Sequence, residues 1–172
     1  MSTEEELQEH AEHARDPFDK RVAASMAIIA AALAVVSVLG HYFTTEELMA
    51  QQKASDQWSY YQAKSIRRYE SSSFADILAA VKATDAAQKY KSNVARYESD
   101  MKEISEKATD LERERDLQHH RALRLDLGEV FLEVAIVLAS LAILSRRSYL
   151  WWVGLISGAA GVVIAGATAM LR

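Results

Sequence analysis

Three long apolar stretches alternate with segments rich in charged residues. Residues 22–43 carry no charged side chain. As a helix rising about 1.5 Å per residue they cover about 33 Å, enough for a bilayer core of about 30 Å. Their length and the missing small-residue cleavage site favour a retained anchor over a removed signal peptide. Residues 149–171 are also uncharged and open with Tyr149, Trp151 and Trp152, as expected at a membrane interface. Both stretches predict transmembrane helices.

A second crossing is predicted between them, at residues 127–145. The apolar run 134–144 that precedes Arg146 is eleven residues long, and about 17 Å of helix is too short to span. A full crossing must begin near Asp126, which places Glu129 and Glu133 inside the span. The alternative is a re-entrant segment, which is tolerated at membrane depth only where protein buries its backbone.

The distribution of basic residues predicts the orientation of these three spans. Lys20 and Arg21 precede the first span, and Arg146 and Arg147 separate the second from the third. Three crossings put both clusters on one face, which the positive-inside rule makes cytoplasmic. We therefore expect an inner-membrane protein with a cytoplasmic N-terminal segment 1–21, containing a short polar helix, and a periplasmic C-terminus.

The charged segment 44–126 is predicted to form a periplasmic helical hairpin. In its second half, apolar or small residues recur at spacings of three and four between charged ones, which is typical of a coiled coil. No glycine or proline follows before Gly128, so one helix is expected from Asp85 to Ser145. The positions of this stripe are Ala87, Tyr90, Val94, Tyr97, Met101, Ile104, Ala108 and Leu111, continued by Arg115, Gln118, Ala122 and Leu125.

The first arm of the hairpin has a looser apolar pattern. Three consecutive serines, 71–73, predict an interruption, with Ser73 and Asp76 resembling a helix start. Thr84-Asp85 is a second start signal, and a turn there balances two arms of about forty residues. The stripe then either packs within one chain or forms a seam between subunits. The apolar residues of this arm are Leu48, Trp58, Tyr61 and Ile66.

Composition excludes several classes of function. The 172 residues carry a net charge of −4 and no cysteine, so disulfides, thiolate metal sites and cysteine nucleophiles are excluded. The sequence has no basic face of the kind that binds nucleic acid. No phosphate loop, dinucleotide fingerprint or nucleophile elbow is present. We expect an all-α membrane protein that is not an enzyme and needs no cofactor.

Small residues on two spans predict close helix contacts, because helices in lipid associate through tight packing rather than hydrophobic burial. These stripes either pack the three spans of one chain together or join subunits, and we expect at least one to be intermolecular. The residues are Gly154, Gly158, Gly161 and Ala165 in the third span and Ala27 and Ala31 in the first.

Acidic residues in the second span form a candidate charge cluster. Glu129 and Glu133 lie one helical turn apart and face the same way. The predicted topology puts His41 and Arg172 at the same outer level. One hypothesis pairs Glu133 with Arg172 or His41 at the outer rim of the bundle. The other places the carboxylates along an oligomeric pore or proton path.

Residues 16–23 read DPFDKRVA, and residues 55–67 read SDQWSYYQAKSIR. These two stretches resemble a bacterial family of small multi-pass membrane proteins catalogued as a domain of unknown function, family 4337. The order of one span, a helical middle and two closing spans is also similar. The resemblance implies a multi-pass membrane protein and brings no activity or catalytic residue.

The second stretch contains a candidate contact surface near the membrane, formed by Trp58, Tyr61, Gln62 and Lys64. Packing of Trp58 and Tyr61 on the returning helix is the alternative. Three functions follow as hypotheses: a homo-oligomeric structural or scaffolding assembly in the bilayer, an ion- or proton-conducting channel using Glu129 and Glu133, and an adaptor that binds a periplasmic protein through the hairpin.

Overall fold

The computed structural model describes residues 17–170, and this part of the chain is helical apart from two short turns. Helix α1 is Pro17–Ala80, α2 is Thr84–Ser145 and α3 is Ser148–Gly166, followed by a 3-10 turn at Ala167–Met170. The all-α prediction is therefore confirmed. Each of the three helices contains a stretch long and apolar enough to cross a membrane. The predicted N-terminal helix within residues 1–15 lies outside the described residues.

The chain divides into two compact units. Residues 17–44 and 119–170 form one, which we call the apolar unit, and residues 45–118 form the other, the polar unit. Both long helices contribute to both units, since α1 and α2 continue without a break through residues 44–45 and 118–119.

In the apolar unit, parts of all three helices enclose a core of aliphatic and small residues. Leu132 and Ala135 of α2 are fully buried, and Ile29 and Val36 of α1 and Ala165 of α3 pack with them. At the end that contains Ser145, the Trp151 indole donates a hydrogen bond to Ser25 Oγ at 3.0 Å and packs edge-on against Phe18. These contacts fix α3 against the first turns of α1.

In the polar unit, the two helices run antiparallel. Trp58 bonds to Glu112, Lys64 to Asp100 and Arg68 to Glu98, and the Phe74 ring packs against Tyr90. As the position on α1 advances, its partner on α2 moves back along the chain, which is the pattern of antiparallel helices.

The turn between α1 and α2 falls where the sequence predicts it. Lys82 adopts a left-handed conformation with φ 59°. The Ala83 amide donates to Leu78 O at 2.9 Å and the Lys82 amide donates to Ala79 O at 3.1 Å. This is the bonding of a Schellman cap. It ends α1 and allows α2 to begin at Thr84, so the predicted helix start there is confirmed.

The predicted interruption at residues 71–73 is wrong, because α1 continues through all three serines. The Ser73 hydroxyl donates to Tyr69 O, four residues earlier in the same helix. Ser71 is buried in the polar unit. A serine hydroxyl inside a helix can donate its hydrogen bond to a carbonyl of the preceding turn. Such a serine does not need to cap the start of a new helix.

The inward face of the first arm also differs from the expectation. Leu48 and Ile66 are exposed, at 64% and 60% of their surface. The buried positions are Ala50, Ala54 and Ala75. Small side chains at these positions leave room for the larger side chains of α2.

The stripe predicted on α2 faces into the chain. Its members are buried or half-buried throughout, including Ala87, Ile104 and Ala108 in the polar unit and Ala122 and Leu125 in the apolar unit. Of the two readings left open by the sequence, packing within one chain agrees with this burial.

Candidate functional site

The glycines of the third span pack against α2 of the same chain. A Cβ on Gly161 would lie 2.7 Å from Gly128 O, and a Cβ on Gly128 would lie 2.9 Å from Gly161 O. A Cβ on Gly154 would lie 3.1 Å from Ala135 O. The backbones of α2 and α3 are therefore nearly in contact. Ala165 also lies beside Gly128, so this stripe forms an internal contact of the apolar unit.

Gly128 was not identified from the sequence as a packing residue. It stands between the charged residues Asp126 and Glu129, inside the helix predicted from Asp85 to Ser145. Its position two α2 turns before Ala135 would have been a signal, because small residues at i and i+7 share a helix face.

The alanines of the first span lie on the outside of the apolar unit. Ala27 and Ala31 are both exposed, and so are Ala23, Ala30 and Ala34. The two small-residue stripes therefore have different surroundings: the one on α3 is covered by α2, and the one on α1 is not covered within the described residues.

Glu133 lies close to the middle of the apolar unit. Gly158 of α3 is next to both Ala135 and Ile29, so these three residues lie at one level. Ile29 is about 10 Å along the helix axis from Val22, where the uncharged stretch begins, and Glu133 is about 3 Å further towards its centre. Glu133 is therefore near the centre of a stretch of about 33 Å.

The Glu133 side chain is exposed on the outside of the three helices, and Glu129, one turn earlier, is half-buried. Among the described residues, no hydrogen bond or ion pair involves either carboxylate. Asp126, Glu129, Glu133 and Ser140 follow one another at spacings of three, four and seven residues. They form a polar stripe along one side of α2, and Ser140 is exposed like Glu133.

His41, one of the two predicted partners of Glu133, does not lie beside it. His41 is next to Gly40, which lies beside Asp126, so His41 is about 10 Å from Glu133 along the helix axis. The His41 Nδ1 donates to Ser37 O at 2.8 Å. Arg172 lies outside the described residues. The structure thus does not bring His41 and Glu133 together, because Glu133 sits deeper than the rim that the sequence predicts.

The predicted contact surface of the polar unit is largely occupied by contacts within the chain. The Trp58 indole donates to Glu112 at 2.8 Å, and its ring packs edge-on against Tyr61 at 5.6 Å. Lys64 donates to Asp100 at 2.7 Å. The hydrogen bond with Asp100, followed by one with the Tyr60 hydroxyl, raises the pKa of Lys64 above its ordinary value. Of the predicted four, Gln62 is exposed and the other three are half-buried.

The exposed apolar residues of the polar unit form a different surface. They follow one another at helical spacing along the last turns of α1, and a shallow groove runs between them. Each of these side chains is more than half exposed, and the Phe74 ring also packs against Tyr90 of α2. We call this set the outward stripe; its members are Ile66, Tyr69, Phe74, Ile77 and Val81.

Comparison with known proteins identifies the family of the chain. The family model described as Domain of unknown function (DUF4337) matches residues 18–171. The chain belongs to this family. The match includes all three apolar stretches and the polar unit, and it begins one residue after the start of α1. The predicted resemblance is thereby confirmed. No curated protein and no solved structure matches the chain.

Proposed function

We propose that the protein is a homo-oligomeric structural assembly of the bacterial inner membrane. Its apolar unit crosses the bilayer three times, with residues 1–21 and Arg146–Arg147 in the cytoplasm and the polar unit in the periplasm. The three apolar helices and the family membership support the membrane placement, and the basic residues beside the spans support the orientation.

The main observation that supports an oligomer is the exposure of Glu133. A charged side chain near the centre of a spanning helix costs about 2.5–3.5 kcal/mol on insertion scales. Such residues usually face a bundle interior or a water-filled cavity. In a single chain of this protein the Glu133 side chain faces outwards. A second copy packed over α2 removes it from lipid.

Two further surfaces favour contacts between copies. The exposed alanines of α1, including Ala27 and Ala31, allow another helix to approach closely. The outward stripe leaves large apolar side chains uncovered on the polar unit. Removing their apolar surface from water in a contact between copies contributes about 25 cal/mol per Å².

The mass of the full-length protein in mild detergent tests the proposal. We expect a particle whose protein mass is a multiple of 19.2 kDa, measured by native mass spectrometry. Since the chain contains no cysteine, single-cysteine variants need no other change. Ala31→Cys should form disulfide-linked dimers in membranes treated with an oxidant. Ala135→Cys, which is buried within one chain, should not. A monomeric mass together with absent cross-linking at Ala31 would refute the assembly.

The polar stripe on α2 favours a second candidate, a cation- or proton-conducting channel. If copies assemble with this stripe towards a common axis, Asp126, Glu129 and Glu133 line the path, and rings of carboxylates select cations. Purified protein in liposomes should then conduct, and Glu133→Gln should reduce the flux, with Val134→Leu as the control. Absent flux across a range of voltages and pH values would remove this candidate.

An adaptor role remains a third candidate, and the outward stripe is the observation that favours it. A periplasmic protein bound there should co-purify with the wild type and be lost from Ile77→Glu. If Ile77→Glu instead changes only the oligomer mass, the stripe serves contacts between copies.

A further inference from the structure

A cleft lies on the side of the apolar unit between α1 and α3. Its volume is about 650 Å³. Its lining is almost entirely apolar, and Leu125 of α2 contributes to it. From Ala32 to Phe43 the cleft follows α1 for about 17 Å, close to the thickness of one leaflet of a bilayer core, about 15 Å. The apolar side chains that line it include Val35 and Leu39 of α1 and Val162 of α3.

Two arginines stand at the end of this cleft where the chain enters the polar unit. The Arg121 guanidinium lies over the Phe43 ring, 5.5 Å from its centre, and both residues line the cleft. Arg124, one turn later, reaches Ala167 O at 3.5 Å. Guanidinium groups bind phosphate through paired, charge-assisted hydrogen bonds. This end of the cleft therefore has the charge that a phosphate group requires.

A buried hydroxyl lies beside this end. Thr168 lines the cleft and is only 6% exposed. Its Oγ1 has no hydrogen-bond partner among the described residues. Buried polar groups almost always have such a partner, so the hydroxyl indicates that a polar atom of a ligand belongs at this position.

We propose that the cleft binds an anionic glycerophospholipid. One acyl chain lies between Val35, Leu39 and Val162, an ester carbonyl accepts the hydrogen bond of the Thr168 hydroxyl, and the phosphate lies against Arg121 and Arg124. A helix of a second copy is the alternative occupant of the apolar part, and the oligomer mass distinguishes it from a lipid. This site requires membrane insertion and is independent of the oligomer.

Lipid binding to the purified full-length protein tests the proposal. Phosphatidylglycerol and diacylglycerol with matched acyl chains are titrated into detergent micelles, and bound lipid is counted by native mass spectrometry. Losing a charge-assisted hydrogen bond corresponds to about a tenfold change or more. We therefore expect at least about a tenfold preference for phosphatidylglycerol in the wild type, and its loss in Arg121→Gln/Arg124→Gln.

Two neighbouring valines of α3 provide a test variant and a matched control for the apolar part of the cleft. Val162 lines the cleft, whereas Val163 is exposed and does not. Val162→Trp should fill the cleft and reduce phosphatidylglycerol binding about tenfold, while Val163→Trp should leave it unchanged. Equal effects of the two substitutions would overturn the proposal.

Three other outcomes would also overturn it. If Val162→Trp changes the oligomer mass and leaves lipid binding intact, the cleft holds a second copy. If inorganic phosphate at millimolar concentration displaces the lipid preference completely, the arginines bind free phosphate. If both lipids bind equally to the wild type, the arginines select no headgroup.

Discussion

The near contact between the backbones of α2 and α3 leads to a prediction for Gly161→Ala. The new Cβ would lie 2.7 Å from Gly128 O, 3.0 Å from Leu132 Cγ and 3.1 Å from Phe131 Cβ. Ordinary contacts begin near 3.4 Å, so the two helices must separate by about 0.7 Å. The obstructing atom at the shortest distance is a main-chain oxygen, which cannot move aside as a side chain can.

The magnitude follows from two opposing effects. Forcing an extra methyl group into a packed core costs about 1–3 kcal/mol, and alanine gains up to about 1 kcal/mol over glycine inside a helix. We therefore expect Gly161→Ala to lower the free energy of unfolding by about 1–2 kcal/mol. Gly166→Ala is the matched control, because nothing lies within 4 Å of its Cβ position, and it should be neutral or slightly stabilising.

The assay is the midpoint of SDS-induced unfolding of the full-length protein in mixed micelles, followed by tryptophan fluorescence. Trp151 reports the contact of α3 with α1 through its bond to Ser25. Gly128→Ala should resemble Gly161→Ala, and Gly158→Ala, with its nearest atom at 3.4 Å, should cost much less. Equal midpoints for the Gly161 and Gly166 variants would refute the close approach.

The polar unit supplies three further predictions. Lys82 has a left-handed backbone conformation, which glycine adopts more readily than a residue with a Cβ. Lys82→Gly should therefore stabilise the protein by about 1 kcal/mol, whereas Lys82→Ala should not, and thermal unfolding distinguishes the two variants. The raised pKa of Lys64 means that its bond to Asp100 contributes stability below the ordinary value of 10.5 and loses it as the pH rises through the folded-state pKa. Stability above pH 10.5 should then fall less steeply in Asp100→Asn than in the wild type. Trp58→Phe should destabilise by about 1 kcal/mol through the lost bond to Glu112, and Glu112→Gln, which can still accept that bond, should cost less in denaturant titration.

The features that could be predicted from the sequence are those with strong local signals, namely long uncharged stretches and the start of a helix. The uncharged stretch at 22–43 lies within α1, most of the stretch at 149–171 lies within α3, and Thr84 begins α2 as its side chain suggests. These features depend on composition over many residues or on a turn that closes locally. Packing partners are not needed to recognise them.

The features that could not be predicted depend on neighbours distant in sequence. The serines at 71–73 carry the same start signal as Thr84, but Ser73 satisfies its hydroxyl within α1. The outward position of Ile66 follows from alanines that form the inner face instead. The depth of Glu133 emerges only when Gly158 aligns α3 with Ala135 of α2.

The uninterrupted course of α1 and α2 through both junctions restricts how the chain can change length. With 3.6 residues per turn, one inserted residue rotates everything beyond it by about 100°. Neither residues 44–45 nor residues 118–119 form a loop that would absorb this rotation. An insertion of one residue therefore turns the buried face of the following turns away from its neighbours within the same unit, whereas an insertion close to seven residues keeps that face inward.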